Sequence, residues 1–196
     1  MYIILPVNNH HHHHRFVYSE EERRKRQNPE HILESIGLKS GMRFIDVGCN
    51  DGFFTLPAAR IVGSEGKVFA IDIDKTALAK LSEKLLSEQL VNTTVICRPA
   101  EDVIIDNEIA DIIFYGTVLH DFKDPLKVLK NASRMLKPDG IIVDYDWRRQ
   151  NSPIGPPYEI RFSQEYVEQL ANEAGLTIIS SEVVDSNFYS MTFKKH

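Results

Sequence analysis

Short apolar runs alternate along the chain with longer amphipathic stretches, a pattern typical of strands that alternate with helices. The predicted strands are 44–47, 68–71, 95–97, 112–115, 141–145, 176–184 and 188–193. The predicted helices are 20–37, 53–62, 74–90, 124–136 and 163–174. The first helix has a second possible start near Asn28, because Pro29 suits an early helical turn.

The order of these elements predicts the fold. Apolar strands that alternate with helices are typical of a parallel sheet covered on both faces. The segment "KPDG", residues 137–140, is predicted to turn the chain into strand 141–145. Only three residues, 185–187, separate the last two strands, too few for a helical crossover, so these strands pair antiparallel. We expect a doubly wound α/β fold with a mostly parallel seven-stranded sheet, helices on both faces and a C-terminal antiparallel hairpin.

Length and composition limit the domain count and the partners. A chain of 196 residues suits one domain, predicted over 20–196 after a flexible His-rich tail over 1–19. A histidine run such as 10–14 does not hold ligands in fixed geometry, so no metal site is predicted. The net charge of −5 gives no field that favours nucleic acid, and the basic cluster 23–26 follows three glutamates, typical of a solvated helix face. Two cysteines and no membrane-length apolar run predict a cytoplasmic protein without a membrane partner.

The segment "FIDVGCNDGFF", residues 44–54, has the outline of a nucleotide-binding turn. Dinucleotide sites use G-x-G-x-x-G, whereas this turn has G-x-x-x-G and two acids, Asp46 and Asp51, that repel a pyrophosphate. Asp46 favours an ammonium group, and amides at a helix start favour a carboxylate. Asp72 lies 20 residues after Gly52, the distance at which a carboxylate accepts ribose hydroxyls, although it is also an ordinary strand-ending residue. S-adenosylmethionine, an amino acid joined to adenosine, meets these demands.

Four segments in register carry a family resemblance: "FIDVGCNDGFFT", "VFAIDID", "DIIFYGTVLHDFKDP" and "RMLKPDGIIVDYD". Together they resemble the successive motifs of class I S-adenosylmethionine-dependent methyltransferases of the small-molecule type, and the resemblance covers residues 28–196. It implies a cofactor site made of the methionine-side loop, the ribose and adenine contacts, and the end of the fourth strand. In that order, its residues are Asp46, Gly48, Cys49, Asn50 and Gly52; Asp72, Ile73, Ala100 and Glu101; and Tyr115 and Gly116.

Two positions depart from the family pattern. Asn50 stands where many members have glycine, and asparagine tolerates a positive φ better than most residues. Pro99 stands where many have an aspartate that reaches the adenine amino group. A neighbouring main-chain group or Glu101 must then serve that contact.

The expected activity is in-line methyl transfer to a small molecule, in which the enzyme mainly aligns the reactants and excludes water. A base is needed only if the acceptor must lose a proton. His120, with Asp121 beside it, is the candidate, and the alternative is that His120 shapes the cofactor pocket. The segment after the fifth strand contains "GPPYEIR", from which Tyr158 and Arg161 are expected to face the substrate. An ion pair that closes the loop is the alternative for Arg161.

Three other functions remain open from the sequence. The first is an RNA or protein methyltransferase that needs a partner for recognition. The second is a cofactor-binding regulatory protein without catalysis, which the departures at Asn50 and Pro99 keep in play. The third is a nicotinamide dehydrogenase, disfavoured because G-x-G-x-x-G is absent.

Overall fold

A single seven-stranded sheet organises the chain. The computed structural model describes residues 20–196, so the predicted tail 1–19 lies outside the described residues. The strands are β1 (Arg43–Val47), β2 (Lys67–Asp72), β3 (Thr93–Cys97), β4 (Ala110–Gly116), β5 (Leu136–Trp147), β6 (Leu176–Val183) and β7 (Phe188–Lys195). Their order across the sheet is β3-β2-β1-β4-β5-β7-β6. Strands β1 to β5 pair in parallel, and β7 runs antiparallel to both β5 and β6, which confirms the predicted fold class.

Helices cover both faces of this sheet. They are α1 (Glu20–Arg26), α2 (Pro29–Ser35), α3 (Thr55–Val62), α4 (Lys75–Ser87), α5 (Pro125–Met135) and α6 (Gln164–Glu173). The apolar residues of α2, α3 and α4 pack on one face of the sheet, and those of α5 and α6 pack on the other. No helix in residues 20–196 combines the length and the apolar composition that crossing a bilayer requires.

Two predicted elements were wrong in their boundaries. The helix expected over 20–37 is broken into α1 and α2 at Asn28, which confirms the second start predicted from Pro29, and the extended backbone of Asn28 is the conformation that a following proline favours. The Asn28 side chain accepts a hydrogen bond from His31 N at 3.1 Å and so caps α2. Residues 137–140 do not form a separate turn before β5. Strand β5 already pairs with β4 at Leu136, and the register shifts between Leu136 and Ile141, so residues 137–140 form a bulge within the strand.

The strand order fixes where a ligand can bind. The chain builds outward from β1 to β3 and then returns to place β4 on the other side of β1. Ligands of open α/β sheets bind beyond the carboxyl ends of the strands at such a reversal. Val47 and Tyr115 are register partners at the ends of β1 and β4, so the segments that follow them lie side by side.

Candidate active site

The glycine turn after β1 has the left-handed backbone that its sequence predicts. The φ angles are 75° at Gly48, 51° at Asn50 and 96° at Gly52, so asparagine does adopt a positive φ in place of the glycine. The N–H groups of Gly48 and Cys49 both donate to Ile71 O, at 2.8 and 3.0 Å. These bonds tie the turn to the end of β2.

Asp72 reaches the same turn from the end of β2. Its Oδ2 accepts a hydrogen bond from Asn50 N at 2.8 Å, and its Oδ1 accepts one from Asp74 N at 2.9 Å. A carboxylate has about four lone-pair sites, so two backbone donors leave capacity for further hydroxyl donors. Ile73 follows with 55% of its surface exposed, a large apolar side chain open to solvent beside that carboxylate.

Asp46 is a buried acid at the base of the turn. Only 2% of its surface is exposed, and its Oδ2 accepts a hydrogen bond from the Thr55 hydroxyl at 2.6 Å. Burial raises the pKa of Asp46 to about 7, the negative charge of Asp72 adds to that, and the Thr55 hydrogen bond and the charge of Arg23 oppose it. Cys49 is also buried, and burial beside these two acids raises the pKa of its thiol. A cation that binds beside Asp46 would therefore stabilise the buried carboxylate.

The end of β4 lies against the turn. A Cβ added to Gly48 would come within 2.4 Å of Val118 Cγ2, and one added to Gly116 within 2.6 Å of the Phe54 ring. Tyr115 points into the core, 1% exposed, where burial and the nearby Asp144 raise the pKa of its hydroxyl. The close packing of Val118 and Phe54 on these two glycines, rather than the Tyr115 side chain, therefore joins the two segments.

Ala100 and Glu101 lie in a short 3₁₀ turn after β3. Asn131 Nδ2 donates to Glu101 O at 2.8 Å, and Glu101 Oε1 accepts a hydrogen bond from Lys123 N at 3.2 Å. The turn is thereby tied to the segment that leads into α5. Contacts of these two residues with an adenine edge stay a prediction.

His120 is buried and paired. Its Nδ1 lies 2.8 Å from Asp146 Oδ2 and its Nε2 lies 3.6 Å from Asp121 Oδ1, and its side chain is 3% exposed. Burial lowers the pKa of His120, but the charge and hydrogen bond of Asp146, with Asp121 and Asp144, raise it to about 9. At neutral pH His120 is therefore an imidazolium, which cannot accept a proton until it has lost one.

The sequence predicted no role for Asp144 and Asp146, the two buried acids of β5. Asp144 and Asp146 are two apart on one strand, so both face the same side of the sheet. The Tyr189 hydroxyl donates to Asp144 Oδ2 at 2.8 Å, and Asp144 Oδ1 is buried without a partner among the described residues. Burial and the charge of Asp146 raise the pKa of Asp144 well above its usual range. Two aspartates alternating at the end of an apolar strand, "IIVDYDW", were the available signal.

The segment after β5 is held by Arg161, which is 2% exposed. Its guanidinium donates to four backbone carbonyls, those of residues 148, 150, 154 and 156, at 2.7–3.1 Å. The substrate contact predicted for Arg161 and the alternative of an ion pair both stay predictions, and the described contacts of its guanidinium are with four carbonyls. Tyr158 is 43% exposed, with the Arg149 guanidinium 5.1 Å from its ring centroid.

Arg23 of α1 is a second residue that the sequence reading missed. Its guanidinium lies 3.9 Å from the centroid of the Phe53 ring, and its charge lowers the pKa of buried Asp46. It stands in the run "EEERRKR", where neighbouring charges favour a fully solvated face. No local pattern distinguishes Arg23 from the arginine and lysine that follow it.

Comparison with known proteins identifies the class. Residues 38–189 match the family described as a methyltransferase domain. The solved S-adenosylmethionine-dependent methyltransferase of Aquifex aeolicus is 26% identical, covers 90% of this chain and 98% of its own, and superposes with a TM-score of 0.80. The [4+2]-cyclase SpnF, 17% identical with a TM-score of 0.74 over 86% of this chain and 80% of its own, shares the fold.

A curated relative is the demethylmenaquinone methyltransferase of Staphylococcus aureus (strain MRSA252). It is 28% identical over 125 residues, which are 64% of this chain and 51% of the relative. The matched region spans about half the length of that relative.

The chain belongs to the methyltransferase domain family, and its solved relative from Aquifex aeolicus is S-adenosylmethionine-dependent. The donor set beside the glycine turn fits that cofactor. A buried carboxylate at Asp46 suits an ammonium group, the spare lone pairs of Asp72 suit hydroxyls, and exposed Ile73 suits the face of a purine.

Proposed function

We propose that the chain methylates a small-molecule acceptor held at the carboxyl edge of the sheet. The observation that carries this proposal is the cage around Arg161, whose four hydrogen bonds fix residues 148–161 beyond the end of β5. On the other side, α1 places Arg23 over Phe53. A crevice bordered by fixed segments of its own chain suits a small acceptor better than a macromolecular surface does.

The cofactor contacts follow from the site. When bound, the cofactor supplies an electrophilic methyl group on a sulfonium. When the cofactor is bound, Asp46 would face its ammonium group, Asp72 would accept hydrogen bonds from its ribose hydroxyls, and Ile73 would cover one face of the adenine. Gly48 and Gly116 lack side chains, which lets Val118 and Phe54 pack against the backbone on which the ligand would rest.

The side chains around the acceptor mainly orient it and exclude water. An acceptor that must lose a proton needs a base, and His120 with Asp121 is the candidate. With a pKa of about 9, His120 is neutral in only about one molecule in a hundred at pH 7. For an acceptor that must lose a proton to His120, we therefore expect the rate of methyl transfer to increase as the pH rises toward 9.

The relatives suggest which acceptors to test first. Their name specifies a demethylmenaquinone, and a set of quinols and phenols of increasing size is the direct extension to this chain. A cytoplasmic location forms part of the proposal, because Cys49 and Cys97 are both free thiols.

Calorimetric titration with S-adenosylmethionine, S-adenosylhomocysteine and NAD tests the cofactor contacts. We expect micromolar binding of the first two, and a loss of at least about tenfold in Asp72→Ala, because a partner of two hydroxyls is removed. Asp139→Ala is the matched control, since Asp139 is exposed at the opposite end of β5.

Release of S-adenosylhomocysteine in the presence of each acceptor then tests the substrate class. Turnover with a small acceptor supports the proposal. Turnover only with protein or RNA would replace the small-molecule acceptor, and cofactor binding without turnover on any acceptor class would indicate a regulatory protein. Binding of NAD in place of the two sulfur ligands contradicts the site assignment.

A further inference from the structure

A buried ion pair joins the segment after β4 to the end of β5. The imidazole of His120 and the carboxylate of Asp146 meet at 2.8 Å, and their side chains are only 3% and 2% exposed. The second oxygen of Asp146 accepts a hydrogen bond from Trp147 N at 2.7 Å, which fixes the carboxylate in place. Such a pair loses much of its value when one partner is removed, because the other charge stays buried.

The segment that this pair holds has an uncommon backbone. Thr117 has a φ of 61°, in the left-handed region that a β-branched residue rarely adopts. Its N–H donates to Tyr145 O at 2.7 Å, so the segment is still held to β5 directly after β4. A residue in such a conformation persists only when its surroundings hold it there.

The same segment contacts the glycine turn. Val118, between Thr117 and His120, lies so close to Gly48 that a Cβ there would approach its Cγ2 to 2.4 Å. Any movement of Val118 therefore changes the support beneath the turn that follows β1.

We propose that the His120–Asp146 pair is a latch that holds residues 116–121 against Gly48, which makes Asp146 a positioning residue for cofactor binding. This inference rests on the proposed function of the glycine turn. Asp146 acts through His120 and Val118 and has no contact with the ligand itself.

The charges around His120 decide when the latch is closed. Asp146 faces Nδ1, Asp121 faces Nε2, and Asp144 adds a weaker effect from β5. Asp144 accepts a hydrogen bond from the Tyr189 hydroxyl of β7, and burial raises its pKa. The latch is therefore an intact ion pair at neutral pH, and it weakens as His120 loses its proton near pH 9, because the neutral imidazole keeps at most the Nδ1–H hydrogen bond to Asp146.

Hydrogen exchange without cofactor is the first test. In Asp146→Asn we expect amide exchange in residues 116–121 and 48–52 to be at least about tenfold faster than in wild type, since the buried pair is lost. Asp121→Asn is the matched control, because its longer contact with the same ring leaves the latch intact, and we expect a change below about twofold. Unchanged exchange of 116–121 in Asp146→Asn overturns the latch, whether or not any cofactor binds.

The second test measures affinity for 5′-methylthioadenosine, which lacks the titrating amino-acid part of the cofactor. We expect Kd to rise about tenfold in Asp146→Asn, and in wild type to rise between pH 8 and pH 10 as His120 deprotonates. A merely structural role for Asp146 would give no such pH profile, so a flat wild-type profile contradicts the proposal. If wild type binds no adenosine ligand at any pH, the proposed function fails, and the exchange result alone still decides the latch.

Val118→Ala guards against a variant that does not fold. It keeps the ion pair and shortens only the side chain that touches Gly48. We expect weaker 5′-methylthioadenosine binding by about threefold to tenfold with residues 116–121 still protected from exchange. Unchanged affinity in this variant would show that the segment does not support the glycine turn.

Discussion

Asp46→Asn is expected to make the protein more stable and the cofactor site weaker. Asp46 is buried at the end of β1, where its carboxylate accepts a hydrogen bond from the neutral hydroxyl of Thr55. Asparagine keeps an oxygen acceptor for that hydroxyl and removes the charge. The substitution therefore isolates the cost of holding an acid in this position.

The raised pKa of Asp46 gives the size of the effect. Its pKa moves from 3.8 to about 7 on folding. At 1.36 kcal/mol for each pKa unit this corresponds to about 4 kcal/mol above pH 7. Because the folded protein holds the proton more tightly than the unfolded chain, wild type loses this stability as the pH rises from about 4 to about 7. We expect the free energy of unfolding of Asp46→Asn to exceed that of wild type by about 2–4 kcal/mol at pH 8. The difference should be less than half of that at pH 5 and should disappear below pH 4.

Urea unfolding of wild type and Asp46→Asn at pH 5 and pH 8 measures the difference in the free energy of unfolding. Asp139→Asn is the control, since it removes an exposed acid from the opposite edge of the sheet. Calorimetry with S-adenosylhomocysteine should show weaker binding by Asp46→Asn, because the ammonium group loses its counter-charge. A variant that is no more stable at pH 8, or equally more stable at both pH values, would refute the reasoning.

Three further predictions concern neighbouring residues. Gly48→Ala should lower the free energy of unfolding, measured with urea, by more than Gly37→Ala does. Both glycines have a positive φ, which costs an alanine about 1–3 kcal/mol, but only at Gly48 would the added Cβ also collide with Val118. Equal losses in the two variants would contradict the contact with Val118. Asp144→Asn should raise the free energy of unfolding at pH 7, because burial raises the pKa of Asp144 and folding must therefore either protonate this acid or bury its charge; an unchanged or lower free energy would contradict the raised pKa. The imidazole of His120 should titrate near pH 9 in proton NMR. Its signal is assigned among those of the eight histidines by its absence from the spectrum of His120→Gln. A midpoint near pH 6.5 would refute the ion pair.

Much of the fold could be predicted because each signal was local. A strand buried on both faces needs a continuous apolar run, and a three-residue connection permits only an antiparallel hairpin. The strand order then brings the segments after β1 and β4 together, so Asp72 and the glycine turn meet as expected. The bulge at 137–140 was missed because its Pro, Asp and Gly are turn residues, whereas pairing with β4 on both sides keeps the segment in the strand.

The partners within the site could not be predicted in the same way. Asp146 pairs with a histidine 26 residues earlier, and Arg23 meets Phe53 across 30 residues of chain. Neither contact has a fixed spacing in sequence, because each depends on how two elements pack. Arg161 illustrates the same point. The sequence indicated a functional cation at this position, but it did not indicate that four backbone carbonyls would surround the guanidinium.

Three buried aspartates at the carboxyl edge of the sheet carry their charge in three different ways. Burial raises the pKa of Asp144, which favours its neutral form, and Asp146 is neutralised by the imidazolium of His120. Asp46, with a pKa of about 7, lies between these states, and its hydrogen-bond donor is the neutral hydroxyl of Thr55. A cationic ligand group therefore gains more at Asp46 than beside β5, where the charge is already balanced. The destabilisation that Asp46 causes in the cofactor-free protein and the affinity that it gives to an ammonium group have one origin, so a substitution that removes one should remove the other.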